Sequence, residues 1–413
     1  MKRTLTFMVA VVLSAICNGL MAHDFEVDGI YYNILSESKK EVEVTFKDSF
    51  DPNNPERIYR GTVNIPATVA YRGGTYKVIR IGENAFHYCN ELEKVTLPTG
   101  LITIGEFAFC ECEKLGDVTI PTTVTTISDR AFAGCKAMKH VVIPANVTQM
   151  GDYVFDHCEG VESVRLEDSA TDLPSGYWGV SYDFPNVKTA YIGRNSGGWA
   201  ATFDWTFSWY ANGKLESVEF GPLVTEIPWH FMYTECFNVP SITIGANVKT
   251  ISDGAFGGCA SVKSVVIPDK VEYIGSDAFS GGFWQCEMSL REVIIGKKVK
   301  EIGENAFANC KKLEAVAVKN PTAYAIPENV FEPTTYIDAT LYVPTGKKRS
   351  YETTNYWSTF HQIVEGNYEL GIATMNADDN TAKDWITIGG TTLKGMPSER
   401  GIYINGGKKV MVK

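Results

Sequence analysis

After its first 22 residues, the 413-residue chain has no stretch approaching the ~20 consecutive apolar residues that cross a bilayer, so no transmembrane span is expected. Positive charge is scarce as well, with 38 basic residues against 49 acidic ones and the signs interspersed. That balance excludes nucleic acid and an anionic membrane as partners, because either needs a basic footprint. Metal-binding patterns are missing. The six histidines, His23, His87, His140, His157, His230 and His361, never pair with cysteine or with each other at ligand spacing. Residues 375–380 carry oxygen ligands without the spacing of a calcium loop. No G-x-S-x-G elbow, phosphate-cradling glycine loop or Cys/His nucleophile signature occurs. No enzymatic activity, metal or cofactor is therefore expected.

What is present begins with a leader. Lys2 and Arg3 precede an apolar run from Leu5 to Ile16, and Ala22 is a small residue at which a peptidase can cut, so residues 1–22 read as a signal peptide. Cys17 closes that run, but Ile16 stands where lipoprotein processing wants a small residue. Without Lys2 and Arg3, 36 basic residues face 49 acidic ones, a formal charge of −13 for the mature chain.

An internal period governs the rest. Phe86, Phe109, Phe132 and Phe155 lie 23 residues apart, and Cys89, Cys112, Cys135 and Cys158 each follow three residues later, so the period holds in two registers. Phe256, Phe279 and Phe307, with Cys236, Cys259, Cys286 and Cys310, continue both rows. Behind each cysteine comes an alternating segment such as Val118-Thr119-Ile120-Pro121 or Val141-Val142-Ile143-Pro144, the pattern of a short strand ended by proline. The same slot recurs at Val164, Ala190, Val218, Ile242, Val265, Val293, Val316 and Leu341 at spacings of 23 to 28. One strand per unit cannot bury its own apolar face. Stacking about eleven such coils gives one parallel sheet and a continuous core, a repeat solenoid of leucine-rich-repeat type. Such a row offers an open face instead of an enclosed, water-excluding pocket.

The unit I-P-x-x-V-T-x-I-x-x-x-A-F-x-x-C-x-x-(L/M)-x-x-V-x-I, as it stands at residues 120–143, closely resembles the BspA-like leucine-rich repeat family. The resemblance is strongest at residues 76–166 and 215–318. It implies an exported bacterial surface protein that adheres to host or matrix proteins, and hence a monomeric binding module, adhesin-like, secreted or at the cell surface, with the periplasm left open. The alternative is a structural or accessory envelope protein with no dedicated ligand.

Within the mature chain, residues 23–75 are expected to form a β-rich N-terminal cap, with strands over Phe25 to Tyr32 and Glu41 to Phe46, and residues 76–344 the solenoid. Residues 345–366 read as a C-terminal cap in which Tyr351, Tyr356, Trp357, Phe360 and Ile363 recur at helix-like spacing. Residues 367–413 depart from the period, with strands at Trp385–Ile388, Gly401–Ile404 and Lys408–Lys413 and a hairpin turn at Asn405-Gly406-Gly407. That tail resembles the short C-terminal tails of Bacteroidetes exported proteins, and reads either as a sorting or anchoring segment or as a small β-module.

Of the ten cysteines, eight occupy the ladder slot and Cys110 is off register. Neighbouring coils bring ladder Cα atoms within disulfide range, but the side chains run parallel, so packed free thiols are expected, with Cys110 the residue most apt to break that rule. Candidate ligand contacts lie where the period loosens, over residues 168–213. Outward strand positions are the middle residues Thr96, Thr119, Val142, Arg165, Tyr191, Glu219, Thr243, Val266, Ile294, Ala317 and Tyr342. Arg165, Tyr191 and Glu219 flank an aromatic insertion that contains Trp199 and Trp205. Rigid amphipathic rings are enriched where proteins meet partners, which makes these five the candidate contacts for a protein or surface glycan.

Overall fold

The computed structural model describes residues 23–47, 58–174, 186–197, 214–232, 239–281, 287–366 and 368, together with the backbone of five short strands between 372 and 412. These fall into two compact units, residues 1–215 and 216–413. Each is a run of solenoid coils with parallel strands.

In the first unit the chain enters through a small β layer. Phe25–Val27, Ile30–Ser36 and Glu41–Thr45 pair antiparallel in succession, and Glu41–Thr45 then lies parallel to Gly74–Ile81. Phe25 to Tyr32 is thus not one strand. Asp28 and Gly29, at φ +51° and +78°, fold it into a hairpin, since an Asp-Gly pair accepts positive φ at both turn positions. Tyr59 then covers the first ring of the phenylalanine row, with its centroid 4.4 Å from that of Phe86. Its hydroxyl donates to the Thr45 carbonyl at 2.9 Å.

Regular coils such as the one with His140–Ile143 and Gln149–Met150 carry two strands, not the single one that alternation predicts. The longer row includes His140–Ile143, Ser163–Leu166 and Thr189–Ile192, paired parallel with inward Val141, Val164 and Ala190 in register. A second parallel row contains the two-residue strands Thr103–Ile104, Thr126–Ile127 and Gln149–Met150. Directly after Thr103–Ile104 the coils approach so closely that a Cβ on Gly105 would lie 2.8 Å from the Ile81 carbonyl oxygen. A strand expected at Val118–Ile120 does not form. There the Asp117 carboxylate accepts the amides of Lys139 and His140 at 2.6 and 2.8 Å, satisfying donors that a neighbouring strand's carbonyls would otherwise take.

Between the strand rows runs the turn that holds the core. Phe86, Phe109, Phe132 and Phe155 stack face to face at 4.9, 5.2 and 5.5 Å, all buried. Their amides bridge coils, Phe86 to Ala108, Phe109 to Ala131 and Phe132 to Val154. The cysteine thiols complete the turn. Cys112, Cys135 and Cys158 donate to the carbonyls of Phe86, Phe109 and Phe132 at 3.0, 3.3 and 3.2 Å.

The second unit repeats this design. Phe256, Phe279 and Phe307 stack at 5.2 and 5.3 Å, and Phe331 extends the row at another 5.3 Å. Phe331 is missing from the row read off the sequence, although Val330-Phe331, 24 residues after Phe307, carries its signal. The exposed face of this last ring is closed by Tyr336, Trp357 and Phe360. Lys348–Glu352 is helical, but Ile363 sits on a strand, Gln362–Glu365, parallel to Thr340–Val343. In the tail, Gly401–Asn405 and Lys408–Val412 pair antiparallel, while residues 406–407 lie outside the described residues.

Two outward positions of the second unit are corrected by the structure. Val266 is 41 % exposed, but its register partner Ile294 is only 5 % exposed and the next, Ala317, only 4 %. The chain turns back after Gln362–Glu365 and places Tyr368 over Tyr342, centroids 4.5 Å apart. Burial and the Glu292 carboxylate, which takes a hydrogen bond from it, push the Tyr368 hydroxyl well above its ordinary pKa.

The cysteines Cys89, Cys110, Cys112, Cys135, Cys158, Cys259 and Cys310 are all free and buried; Cys236 and Cys286 lie outside the described residues. Cys110, off the ladder, is buried like the others, and burial pushes its thiol up to about 12. The thiolate is the reactive form. These seven thiols are therefore expected to resist iodoacetamide at pH 8 in the folded protein and to react fully in urea. Mass spectrometry checks this; more than one bridged pair in the unreduced, unfolded chain contradicts it.

Candidate functional site

Strand alternation and register build the site in the first unit. On Ser163–Leu166, Val164 and Leu166 point into the core, which turns Arg165 outward; on Thr189–Ile192, Ala190 and Ile192 are buried, which leaves Tyr191 on the outer side. The parallel register sets Val142 opposite Arg165 and Arg165 opposite Tyr191. Adjacent strands run ~4.8 Å apart, so the two long side chains meet. The Arg165 guanidinium lies over the Tyr191 ring with its carbon 3.8 Å from the centroid, and the Tyr191 hydroxyl donates to Asp168 Oδ1 at 2.9 Å. A stacked cation of this kind contributes about 0.5–1 kcal/mol at an exposed site and fixes both rotamers.

Beside this pair the row is mixed. Val142 is 39 % exposed, which gives an apolar end. His140 Nδ1 and Ser163 Oγ are 2.8 Å apart. Lys139 and Lys188 flank Glu162 at 3.7 and 2.8 Å, and the hydrogen bond from Lys188 holds the Glu162 carboxyl below the usual carboxylate range. Contacts to this face are therefore an aliphatic side chain, a planar cation on an aromatic ring, and paired charges.

Beneath the site lies a residue that motif spacing did not single out. Arg194, 1 % exposed, donates to the carbonyls of Pro144 at 2.6 Å, Val147 at 2.8 Å and Glu167 at 3.1 Å. Burial lowers its pKa. It ties three consecutive coils together just past the ends of the strands that carry Arg165 and Tyr191.

Of the five candidate contacts, the structure brings Arg165 and Tyr191 together. Glu219 is exposed on Ser217–Phe220 of the second unit. Trp199 and Trp205 lie outside the described residues. Among the described residues there is no cluster of three or more metal-ligating side chains, and no helix is long and apolar enough to cross a membrane.

Parallel coils with stacked phenylalanine rows and buried thiols define a leucine-rich-repeat solenoid. The chain belongs to the family described as BspA type leucine rich repeat region, whose model matches in six copies over residues 75–181 and 225–345, more than half of the chain. No curated protein matches it. Among solved structures it is similar to a leucine-rich repeat protein from Bacteroides ovatus, 24 % identical over 71 % of this chain and 94 % of that one, with a TM-score of 0.29. A leucine-rich repeat protein from Bacteroides capillosus is 31 % identical over 34 % of this chain and 95 % of its own, TM-score 0.29. A leucine rich cell surface protein from Faecalibacterium prausnitzii is 18 % identical over 80 % and 97 %, TM-score 0.28.

Proposed function

We propose that the protein is an exported, non-enzymatic binding module that presents the outer strand face of its coils to a protein or surface glycan, in the manner of an adhesin. The observation that carries the reading is the Arg165–Tyr191 pair, a guanidinium held on a ring at 3.8 Å on the outer strand face. Pre-ordered Arg and Tyr side chains lose little entropy on contact and dominate binding energy where they occur. The leader at residues 1–22 supports export. Trp199 and Trp205 remain proposed contacts on sequence grounds, and Glu219 a proposed contact in the second unit.

The test is a panel of matrix proteins and a glycan array probed with the wild-type protein and with the Arg165→Ala/Tyr191→Ala variant. The variant is expected to lose about tenfold or more in affinity for whatever the panel selects. Its thermal midpoint is expected to move by only a few degrees, because both side chains lie on the outer face. Equal affinity in the two proteins removes this contact, and the absence of any ligand on the panel favours the structural envelope role.

A further inference from the structure

The turn edge of the first unit carries a second surface, away from the outer strand face. In each coil the residue two before the ladder phenylalanine is left-handed: Asn84 at φ +56°, Phe107 at +50°, Arg130 at +52° and Tyr153 at +57°. The same slot of the second unit holds His230 at +54°, two before Met232, and then Gly254 at +62°, Asp277 at +56° and Asn305 at +56°. Glycine, aspartate and asparagine adopt that conformation readily, whereas a phenylalanine, arginine or tyrosine there is strained. The first unit thus keeps bulky side chains at a slot for which its own sequence elsewhere has relaxed solutions. Strain retained at a surface directs attention to what the side chains do.

They form a ridge. His87 stacks on Phe107 at 5.5 Å and on Tyr88 at 4.3 Å, and the Arg130 guanidinium carbon lies 5.0 Å from the Tyr153 ring centroid. Arg130 is exposed and Tyr153 is 40 % exposed. Along one side runs a carboxylate from each of these four coils, Glu83, Glu106, Asp129 and Asp152, each immediately preceding the left-handed residue, with Asp129 also accepting the Asp152 amide at 2.9 Å. Burial pushes His87 down to about 4, so it adds no positive charge at neutral pH.

We propose that this ridge and its carboxylate row bind a basic polypeptide. His87 stacks on Tyr88 and on Phe107, and the Arg130 guanidinium lies over the Tyr153 ring, so the flat faces a sugar ring would need are already engaged. The carboxylates repeat with the coils, roughly every 4.8 Å, and complement a line of lysine or arginine heads whose aliphatic stems lie along the rings.

The probe is a fluorescein-labelled dodecalysine peptide titrated into the full-length protein at increasing salt. The variant Phe107→Asn/Tyr153→Asn changes no charge and relieves the strain. It is expected to have a higher thermal midpoint and yet to bind the peptide about tenfold more weakly. Phe107→Gly/Tyr153→Gly, free to adopt the same φ, is a second pair with the same expected binding loss. Glu83→Gln/Glu106→Gln is expected to weaken binding and flatten its salt dependence, while Glu301→Gln/Glu304→Gln in the second unit leaves both unchanged. The proposal is overturned if the wild-type protein does not bind the peptide, if the ring variants bind it as tightly, or if a neutral hexasaccharide binds in a way that depends on the rings.

Discussion

Replacing Phe132 with alanine is expected to destabilise the first unit by about 3–5 kcal/mol, the range for removing a fully buried aromatic ring. Phe132 is completely buried and stacked between Phe109 at 5.2 Å and Phe155 at 5.5 Å. In a stack of coils each unit is stabilised by its neighbours, so a void at Phe132 weakens two interfaces at once. Its carbonyl also accepts the Cys158 thiol, and its amide donates to Val154, so a backbone shift around the void disturbs two further bonds between coils. Phe86→Ala, whose ring abuts Phe109 on one side and the tilted Tyr59 on the other, is expected to cost less, because the end of a row relaxes more easily. Urea titration followed by circular dichroism checks both. A loss below about 1 kcal/mol for Phe132→Ala would contradict the ladder as the source of stability.

The second large effect is expected at Arg194. Substitution by alanine removes donors from three main-chain carbonyls in the two preceding coils and leaves them buried, at about 1–3 kcal/mol each. Deleting a buried cation recovers some desolvation energy, which offsets part of that loss. The balance remains destabilising, because the guanidinium volume is also left empty. A net cost of about 3 kcal/mol is expected. Arg194→Lys recovers little, since a single ammonium on a thinner stem cannot span carbonyls that the planar fork reaches together. Hydrogen exchange is the direct measurement: the amide of Val147 is expected to lose protection well before those of the Phe86 to Phe109 turn. Unchanged protection there would show that the fork is dispensable.

Much of this was legible in the residues, for a physical reason. A phenylalanine and a cysteine at fixed spacing can only be a core row when identical units stack, and the outward slot of each strand follows from alternation. That is why Arg165 and Tyr191, 26 residues apart, both read as outward residues of successive strands. The second strand row was not legible, because Thr103–Ile104 or Thr126–Ile127 offers only two residues and no alternation. The missing strand at Val118–Ile120 depends on a single carboxylate, Asp117, competing with the backbone. Ile294 and Ala317 satisfy the outward pattern and are nonetheless buried, and Tyr368 returns from beyond the last coil onto Tyr342 of the same row, a contact that no local pattern encodes. Arg194 reads as a loop residue in Ile192-Gly193-Arg194-Asn195, and two of its three partners lie 47 and 50 positions earlier as carbonyls, which have no residue signature.

The central claim, that the outer strand face of the first unit is the contact surface, is tested most directly by oxidative side-chain footprinting of the protein saturated with the ligand its panel selects. The labelling of Tyr191 is expected to fall sharply on binding, with Tyr153 on the turn edge labelled as in the free protein. Equal labelling of Tyr191 in the free and saturated states would contradict it.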